Sequence, residues 1–543
     1  MTQRITIVEN CWTRTRLQID FIQRISKSLD AEHRRVLNDT LGRLATTLSS
    51  AISKIQKVHD KTSDARPGFL AFASRVRRGK YVLVKSTLDE VILELEDWQR
   101  RFDPSFYLIM RIADPVIDEQ LKEATKQAKE QRRTASAASA TAGAGNHQGQ
   151  GSPAQSSSRT ARVNERSPLT IADGVRNVLR PDPPHVSIFL PHQPLETISI
   201  PFSKAQAACR RTHAGTQWFI LDTLHIRPTS NVNAVTEDVR KLARKLSRAD
   251  PLTFGLLNCK GAMRMLDAQR RGVIGFHLIL RAPEGMEILQ SLRQVLLNSP
   301  VSGNTGPDGI GTEGMSMSLT RRVRIAKELG KSISYVHTFN FVHKNISPES
   351  ILLFEDLSSS HSATFLVGFD DFRSVDGGTA LIGDVSWEKN VYRHPSRQGE
   401  FPEEAYRMQH DVYSLGVCLL EIGLWESFVD YTTDDPPLPR YGKSYNNFMI
   451  WVRGQSEESD QQSSNASYMG FIASKLKEYL VLLARSQLPQ KMGDRYAEIV
   501  VSCLTCLDEE GNGFDDWDPD EDDIRLGVRF NDRILGRLNE III

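Results

Sequence analysis

Ala135–Ser158 carries almost no large apolar side chain, and this stretch divides the chain. From about Lys122 to Ser167 the composition turns to Ala, Ser, Gly, Gln and Thr. Such a segment buries too little apolar surface to offset the entropy of ordering it, so a disordered linker is expected over 131–180. About 50 residues of flexible coil place their ends roughly 40 Å apart, which lets the flanking folded parts move independently. Ser152-Pro153 offers a phosphorylation site within it, although solvated spacer is the default reading.

The 543 residues leave ample length for two to four domains, and a hydrophobic content of 40% is sufficient for their cores. Basic and acidic residues nearly cancel, at a net charge of +1, so composition predicts no general affinity for nucleic acid. Six scattered cysteines do not make a disulfide framework. With no apolar segment after Met1–Asn10 and no run of about 18 apolar residues, neither a signal peptide nor a transmembrane helix is expected, and a cytoplasmic location follows.

Residues 1–130 read as helical. Leu17, Phe21, Ile25 and Leu29 mark one amphipathic face, and Asp30 is placed to cap the next helix. Leu37, Leu41, Leu44, Leu48, Ile52 and Ile55 alternate by four and three, the seam of a helical bundle. A third helix is expected over Tyr81–Arg101, with Leu88, Val91, Ile92, Leu95 and Trp98 inward. Asp103-Pro104 and Asp114-Pro115 each put a capping carboxylate before a first-turn proline, which predicts two further short helices.

Beyond the linker the pattern becomes α+β. Gln217–Leu224, Phe254–Met265 and Val273–Arg281 read as strands, and Val235–Ala249 as a helix between them. In Ser318–His337 the apolar residues Leu319, Val323, Ala326, Leu329, Ile333 and Val336 form one buried helical face. Phe341–Leu353 (FVHKNISPESILL) follows, then the strand-like Ala363–Arg373 (ATFLVGFDDFR), Tyr392–Ser396 (YRHPS) and the apolar helix Asp411–Ile422. Pro436–Gln462 reads as irregular and charged, and Tyr468–Arg485, Ala497–Leu507 and Ile524–Leu535 as closing helices.

These motifs, in this order and at these separations, resemble the protein-kinase-like fold from roughly Val186 onward. The resemblance implies an N-lobe over 181–300 and a C-lobe with a helical extension over 301–543, a bilobal domain. Phe341–Leu353 resembles the catalytic loop, in which an Asp accepts the substrate proton and an Asn holds magnesium. Aligned on His343, those two positions are Asn345 and Ser350. An amide takes up no proton near neutral pH, and a hydroxyl is a poorer magnesium ligand than a side-chain carbonyl. The metal-binding triplet reads Gly368-Phe369-Asp370, without its leading carboxylate, although Asp370 and Asp371 lie next door. No Gly-rich phosphate loop occurs from Pro184 to Arg227, and Asp222 sits where the third strand would carry its lysine. Pro395 and Asp411 fall at structural positions of the C-lobe, and Arg495 where a kinase arginine would pair with a glutamate that is here Ser396, with Glu400 or Glu403 as replacement partners.

Three other patterns are set aside. Gly309–Gly314 matches a phosphate-loop spacing but does not follow a strand. Asp508–Gly513 resembles a calcium loop whose twelfth position is Pro519 rather than a bidentate Glu. Cys503 and Cys506 have metal or redox spacing, yet no second pair lies near, so buried thiols are expected and no metal site.

The helical first part, above all Leu95–Met110, resembles the N-terminal HeLo-type, prion-inhibition-like domain of fungal proteins that precedes a kinase-like domain. That family implies cell-death or incompatibility signalling and action on a membrane surface. This chain instead opens with charged residues, Arg4, Glu9 and Arg14, so binding of a protein partner or self-association stands beside it. Two functions are carried forward: a catalytically inactive kinase-like domain, without cofactor, serving as scaffold or sensor for a helical effector, and an atypical active Ser/Thr kinase using ATP and magnesium. Loss of the general base alone costs roughly 10²–10⁴ in rate.

Overall fold

Two aspartates start helices as their sequence positions predict. Asp30 accepts the N–H of His33 at 2.8 Å, and Asp114 accepts that of Val116 at 2.7 Å. In the computed structural model, described for residues 2–46, 92–127, 167–180, 188–298, 317–355, 362–374, 385–454, 465–508 and 523–542 with short interruptions, the fold mixes helices with antiparallel sheets. The chain divides into two compact units, Met1–Pro181 and Asp182–Ile543. Most of the linker reading, the seam positions Leu48, Ile52 and Ile55, the helix over Leu88 and Val91, and Gly309–Gly314 lie outside the described residues.

In the first unit, α1 (Thr2–Ile25) buries Phe21, Ile22 and Ile25. Leu37 and Leu44 of the next helix are buried too, and Trp98 Nε1 donates to the carbonyl of Thr40 at 3.3 Å. Rings stack along 98–106, with Trp98 and Phe102 centroids 4.7 Å apart and Phe21 edge-on to Phe106. Pro104 does not begin a new helix, because residues 101–108 are already helical. The Asp103 carboxylate that would have capped it accepts instead from Gln18 at 2.9 Å and pairs with Arg14, a tertiary contact that displaces the local one.

A second departure is α2 (Pro168–Leu179), inside the stretch expected to be linker. Leu169, Ile171, Ala172, Val175 and Val178 give it an apolar face. Its buried Arg176 donates to the carbonyl of Met110 at 2.8 Å and to Asp118 at 2.7 Å, fixing the helix within the first unit.

The second unit opens with a five-stranded antiparallel sheet in the order β1-β2-β3-β5-β4: β1 (Glu196–Ser199), β2 (Gln206–Thr212), β3 (Gly215–His225), β4 (Cys259–Leu266) and β5 (Val273–Arg281). Between β3 and β4 runs α3 (Val232–Leu246), capped by Asn231. Phe254, expected on a strand, ends a short helix, Pro251–Phe254.

A smaller sheet follows, in which β8 (Ile351–Glu355) lies between β6 (Ile288–Ser291) and β9 (Ser362–Leu366), while β7 (Phe341–Val342) pairs with β10 (Arg373–Ser374). Helix α4 (Leu319–Thr338) is capped by Ser318 and buries Val323, Ala326, Leu329, Ile333 and Val336 as its periodicity predicts. Every residue of α5 (Met408–Leu424) is buried, which makes it the axis of the helical part.

Helices α7 (Asn465–Met492) and α8 (Asp494–Leu504) pack on it, while α6 (Lys443–Arg453) packs on α7 and α9 (Asp523–Phe530) on α4. Helix α6 corrects the expectation of an irregular 436–462: Tyr445, Phe448 and Val452, spaced by three and four, give it a buried stripe. Cys503 and Cys506 are buried free thiols. No helix among the described residues is long and apolar enough to cross a membrane.

Candidate functional site

The loop after β7 is held from below. Asp411, at the start of α5 and fully buried, accepts the main-chain N–H groups of His343 at 2.8 Å and Lys344 at 3.0 Å, the Tyr406 hydroxyl at 2.7 Å, and lies 3.2 Å from His337 Nε2. Burial alone would push its carboxyl up, but these partners, His337 first, hold it below the ordinary range. The clasp lets Lys344 sit at φ +64°, a left-handed conformation unusual for a non-glycine residue.

Above the clasp, the sequence-predicted residues meet one another. The His343 ring lies 3.1 Å from the carbonyl of Val367 and packs on Phe369 at 4.7 Å between centroids. Asn345 Nδ2 donates to the carbonyl of Gly368 at 3.0 Å. Gly368 is at φ +84°, and a Cβ there would stand 2.8 Å from that of Ser350, so this position admits little but glycine. The Ser350 hydroxyl is bonded to the main chain of Ser347, closing the turn Pro348–Ser350.

Asp222, on β3, reaches the same place. Its Oδ2 accepts the N–H groups of Gly368 at 2.9 Å and Phe369 at 3.0 Å, while Oδ1 is buried with no hydrogen-bond partner among the described residues. Burial raises the carboxyl to about 6, and the two amides moderate the rise. Asp370 turns the other way, accepting from Lys204 Nζ at 2.8 Å and from the His225 N–H at 3.0 Å. Burial opposes its ionisation, yet Lys204 and His225 hold it below the usual carboxylate range. Asp222 and Asp370 are thus committed to protein partners, and no group of three or more metal-ligating side chains occurs among the described residues.

The β1–β2 turn closes over this loop. Ser203 Oγ donates to the carbonyl of Glu349 at 2.8 Å, Ser291 Oγ to that of Pro201 at 2.6 Å, and the Phe202 ring packs 4.8 Å from that of Tyr431.

Pro395 opens the short turn Pro395–Arg397, where His394 Nδ1 caps Ser396 N–H at 3.3 Å and the Ser396 hydroxyl lies 3.3 Å from His410 Nε2. Arg495 is not brought to Ser396, Glu400 or Glu403: it stands exposed in the first turn of α8, with no ion pair among the described residues.

Sequence reasoning missed the cation that organises the interior. Arg293, fully buried, lies 3.2 Å from Glu421 of α5 and 3.0 Å from Glu349, and also donates to the hydroxyls of Tyr392 and Ser427. Burial pushes the Glu421 carboxyl up to about 7 against the pull of Arg293. A lone carboxylate in the apolar run Gly416–Leu424 was the available signal, since a charge there requires a buried partner. A scan of the sequence against protein-family models gives no match, and a search of curated proteins gives none either.

Proposed function

We propose that residues 182–543 form a catalytically inactive, protein-kinase-like domain acting as a regulatory scaffold or sensor, coupled to the helical first unit as an effector or self-association module in a signalling pathway of the fungal cell-death type. What supports the kinase-like part is the combination of a five-stranded antiparallel sheet with α3 between its third and fourth strands, a loop clasped by Asp411, and the buried α5.

The observation that carries the inactive reading is the pair of bonds from Asp222 to Gly368 and Phe369. A carboxylate occupies the position that a phosphate-binding lysine would fill, and its partner is the main chain where a magnesium ligand would stand. Asn345 cannot serve as a base, Ser350 is engaged in its own turn, and Asp370 is paired with Lys204.

The test is thermal unfolding of the full chain with ATP, with and without magnesium, alongside radiolabelled phosphoryl transfer to itself and to a generic acceptor. The expected result is neither a magnesium-dependent rise in Tm nor transfer. Transfer abolished by Asn345→Ala or Asp370→Ala would overturn the reading in favour of an atypical kinase. Leakage from liposomes under the full chain separates membrane action from a contact role of the first unit.

A further inference from the structure

Side chains alternate along a strand, so Phe219 and Leu221 of β3 point away from the sheet face that carries Asp222. They pack there with Ala208, Met263 and Ile279, and Leu190 and Leu195 lie against them. A pocket of about 40 Å³ opens on this apolar cluster, with Arg210 of β2 and Lys260 of β4 in its wall. That volume holds a few waters or a small aliphatic group and is far below the roughly 300–1,000 Å³ of a small-molecule site.

Three cations meet around Phe219, and none is neutralised. Arg281 of β5 stands opposite Phe219 in the strand register, and Lys260 Nζ lies 4.8 Å from the centre of its ring. Arg281 Nε donates to Asn258 Oδ1 at 3.1 Å. A ring and an amide hold these two side chains in place without supplying a counter-charge. Among the described residues no carboxylate pairs with Arg210, Lys260 or Arg281. Burial lowers the pKa of Lys260, and Arg210 and then Arg281 lower it further. Like charges gathered in this way repel, and an anionic partner relieves the repulsion.

We infer that this face docks an acidic peptide, an extended segment whose small aliphatic side chain enters the pocket between carboxylates that pair with Arg210, Lys260 and Arg281. A free inorganic anion would use the cations and leave the floor of Phe219, Met263 and Ile279 unfilled, whereas a peptide supplies both kinds of group. The surface lies on the other side of the sheet from the bonds between Asp222 and Gly368, so it does not depend on whether that site transfers phosphate.

The test is calorimetric titration of the full chain with the end-blocked peptide Glu-Asp-Val-Asp-Glu, its amide counterpart Gln-Asn-Val-Asn-Gln, and Glu-Asp-Gly-Asp-Glu. The expected result is saturable binding of the first peptide that weakens as salt is raised, no binding of the amide peptide, and weaker binding of the glycine peptide. Affinity should fall about tenfold in Arg210→Gln and in Lys260→Gln. It should stay unchanged in Arg453→Gln, which removes an exposed charge on α6. Absence of binding by the acidic peptide at millimolar concentration overturns the proposal, as does equal affinity for either of the other two peptides. A DNA duplex that binds as tightly, and is weakened by the same variants, would mark a general polyanion surface and overturn it as well. The Arg210 side chain is exposed, so its glutamine variant keeps the fold and stays decisive should Lys260→Gln unfold, and unchanged affinity in that variant also overturns the proposal.

Discussion

The guanidinium of Arg293 lies 3.2 Å from the carboxylate of Glu421, and neither side chain has any exposure to solvent. Removing one partner of such a pair strands a charge in a low-dielectric interior, which typically costs about 3–5 kcal/mol. Arg293→Met is therefore expected to lower the unfolding free energy of the second unit by that amount in urea titration. The double variant Arg293→Met/Glu421→Met should recover more than about 1 kcal/mol of the loss, because the stranded carboxylate is then gone.

Asp222 ties stability to pH. Its carboxyl is raised to about 6 in the folded chain against an ordinary 3.8, so between those values the folded state binds the proton more tightly than the unfolded state. The contribution of this group is greatest below pH 3.8 and is lost as pH rises through 6. Asp222→Asn keeps an acceptor for the two amides without the ionisation. Compared at pH 4, the two chains should be similar in stability, and at pH 8 the variant should exceed the parent by up to about 3 kcal/mol. Chemical denaturation across that range reads the difference directly.

At Gly368 backbone and packing act together. Gly368→Ala meets both the positive φ and the Ser350 Cβ, and should destabilise by about 1–3 kcal/mol. Ser350→Gly in the same chain should recover part of this by removing the clash while leaving the backbone strain. Scanning calorimetry of the two variants separates the contributions.

Asn345→Asp supplies the carboxylate that the proposed kinase-like reading lacks at this position but sets it against the carbonyl of Gly368, losing the 3.0 Å bond. A stability loss of about 1–3 kcal/mol with no gain in phosphoryl transfer is expected, measured by thermal unfolding and radiolabel incorporation.

In the first unit, Arg176→Ala leaves the Met110 carbonyl without that donor and takes one cation from Asp118. It should loosen α2 by about 1–3 kcal/mol and bring earlier proteolytic cleavage within 168–179, read by mass spectrometry of the fragments.

Periodicity made α4 legible in the sequence, the motif and unbroken apolar run of Asp411–Ile422 did so for α5, and the caps at Asp30 and Asp114 were legible too, because each depends on residues close together in the chain. The same locality failed at Asp103, where Arg14 and Gln18, more than eighty positions away, claim the carboxylate. Helix α2 was hidden because the polar composition before it set the reading of its whole neighbourhood, although Leu169, Ile171, Val175 and Val178 carried a pattern. At the candidate site the residue types at Asp222, Asn345, Ser350 and Gly368 were readable. That Asp222 bonds the main chain of Gly368 and Phe369 was not, since it joins positions 146 and 147 residues apart. Arg293 escaped for the same reason, its partners lying 56 to 136 positions downstream.

Helix α4 is completed by chain that comes much later. The Ser334 hydroxyl donates to Asn531 at 2.7 Å across 197 positions, Gly330 lies against Leu535 and Leu538, and Lys327 Nζ reaches the carbonyls of Asn539 and Ile541. During synthesis at roughly 5–20 residues per second, this face of α4 waits on the order of 10–40 s for its cover. For that interval the groups that Asn531, Leu535, Leu538 and Asn539 later cover stand open to water on the nascent polypeptide.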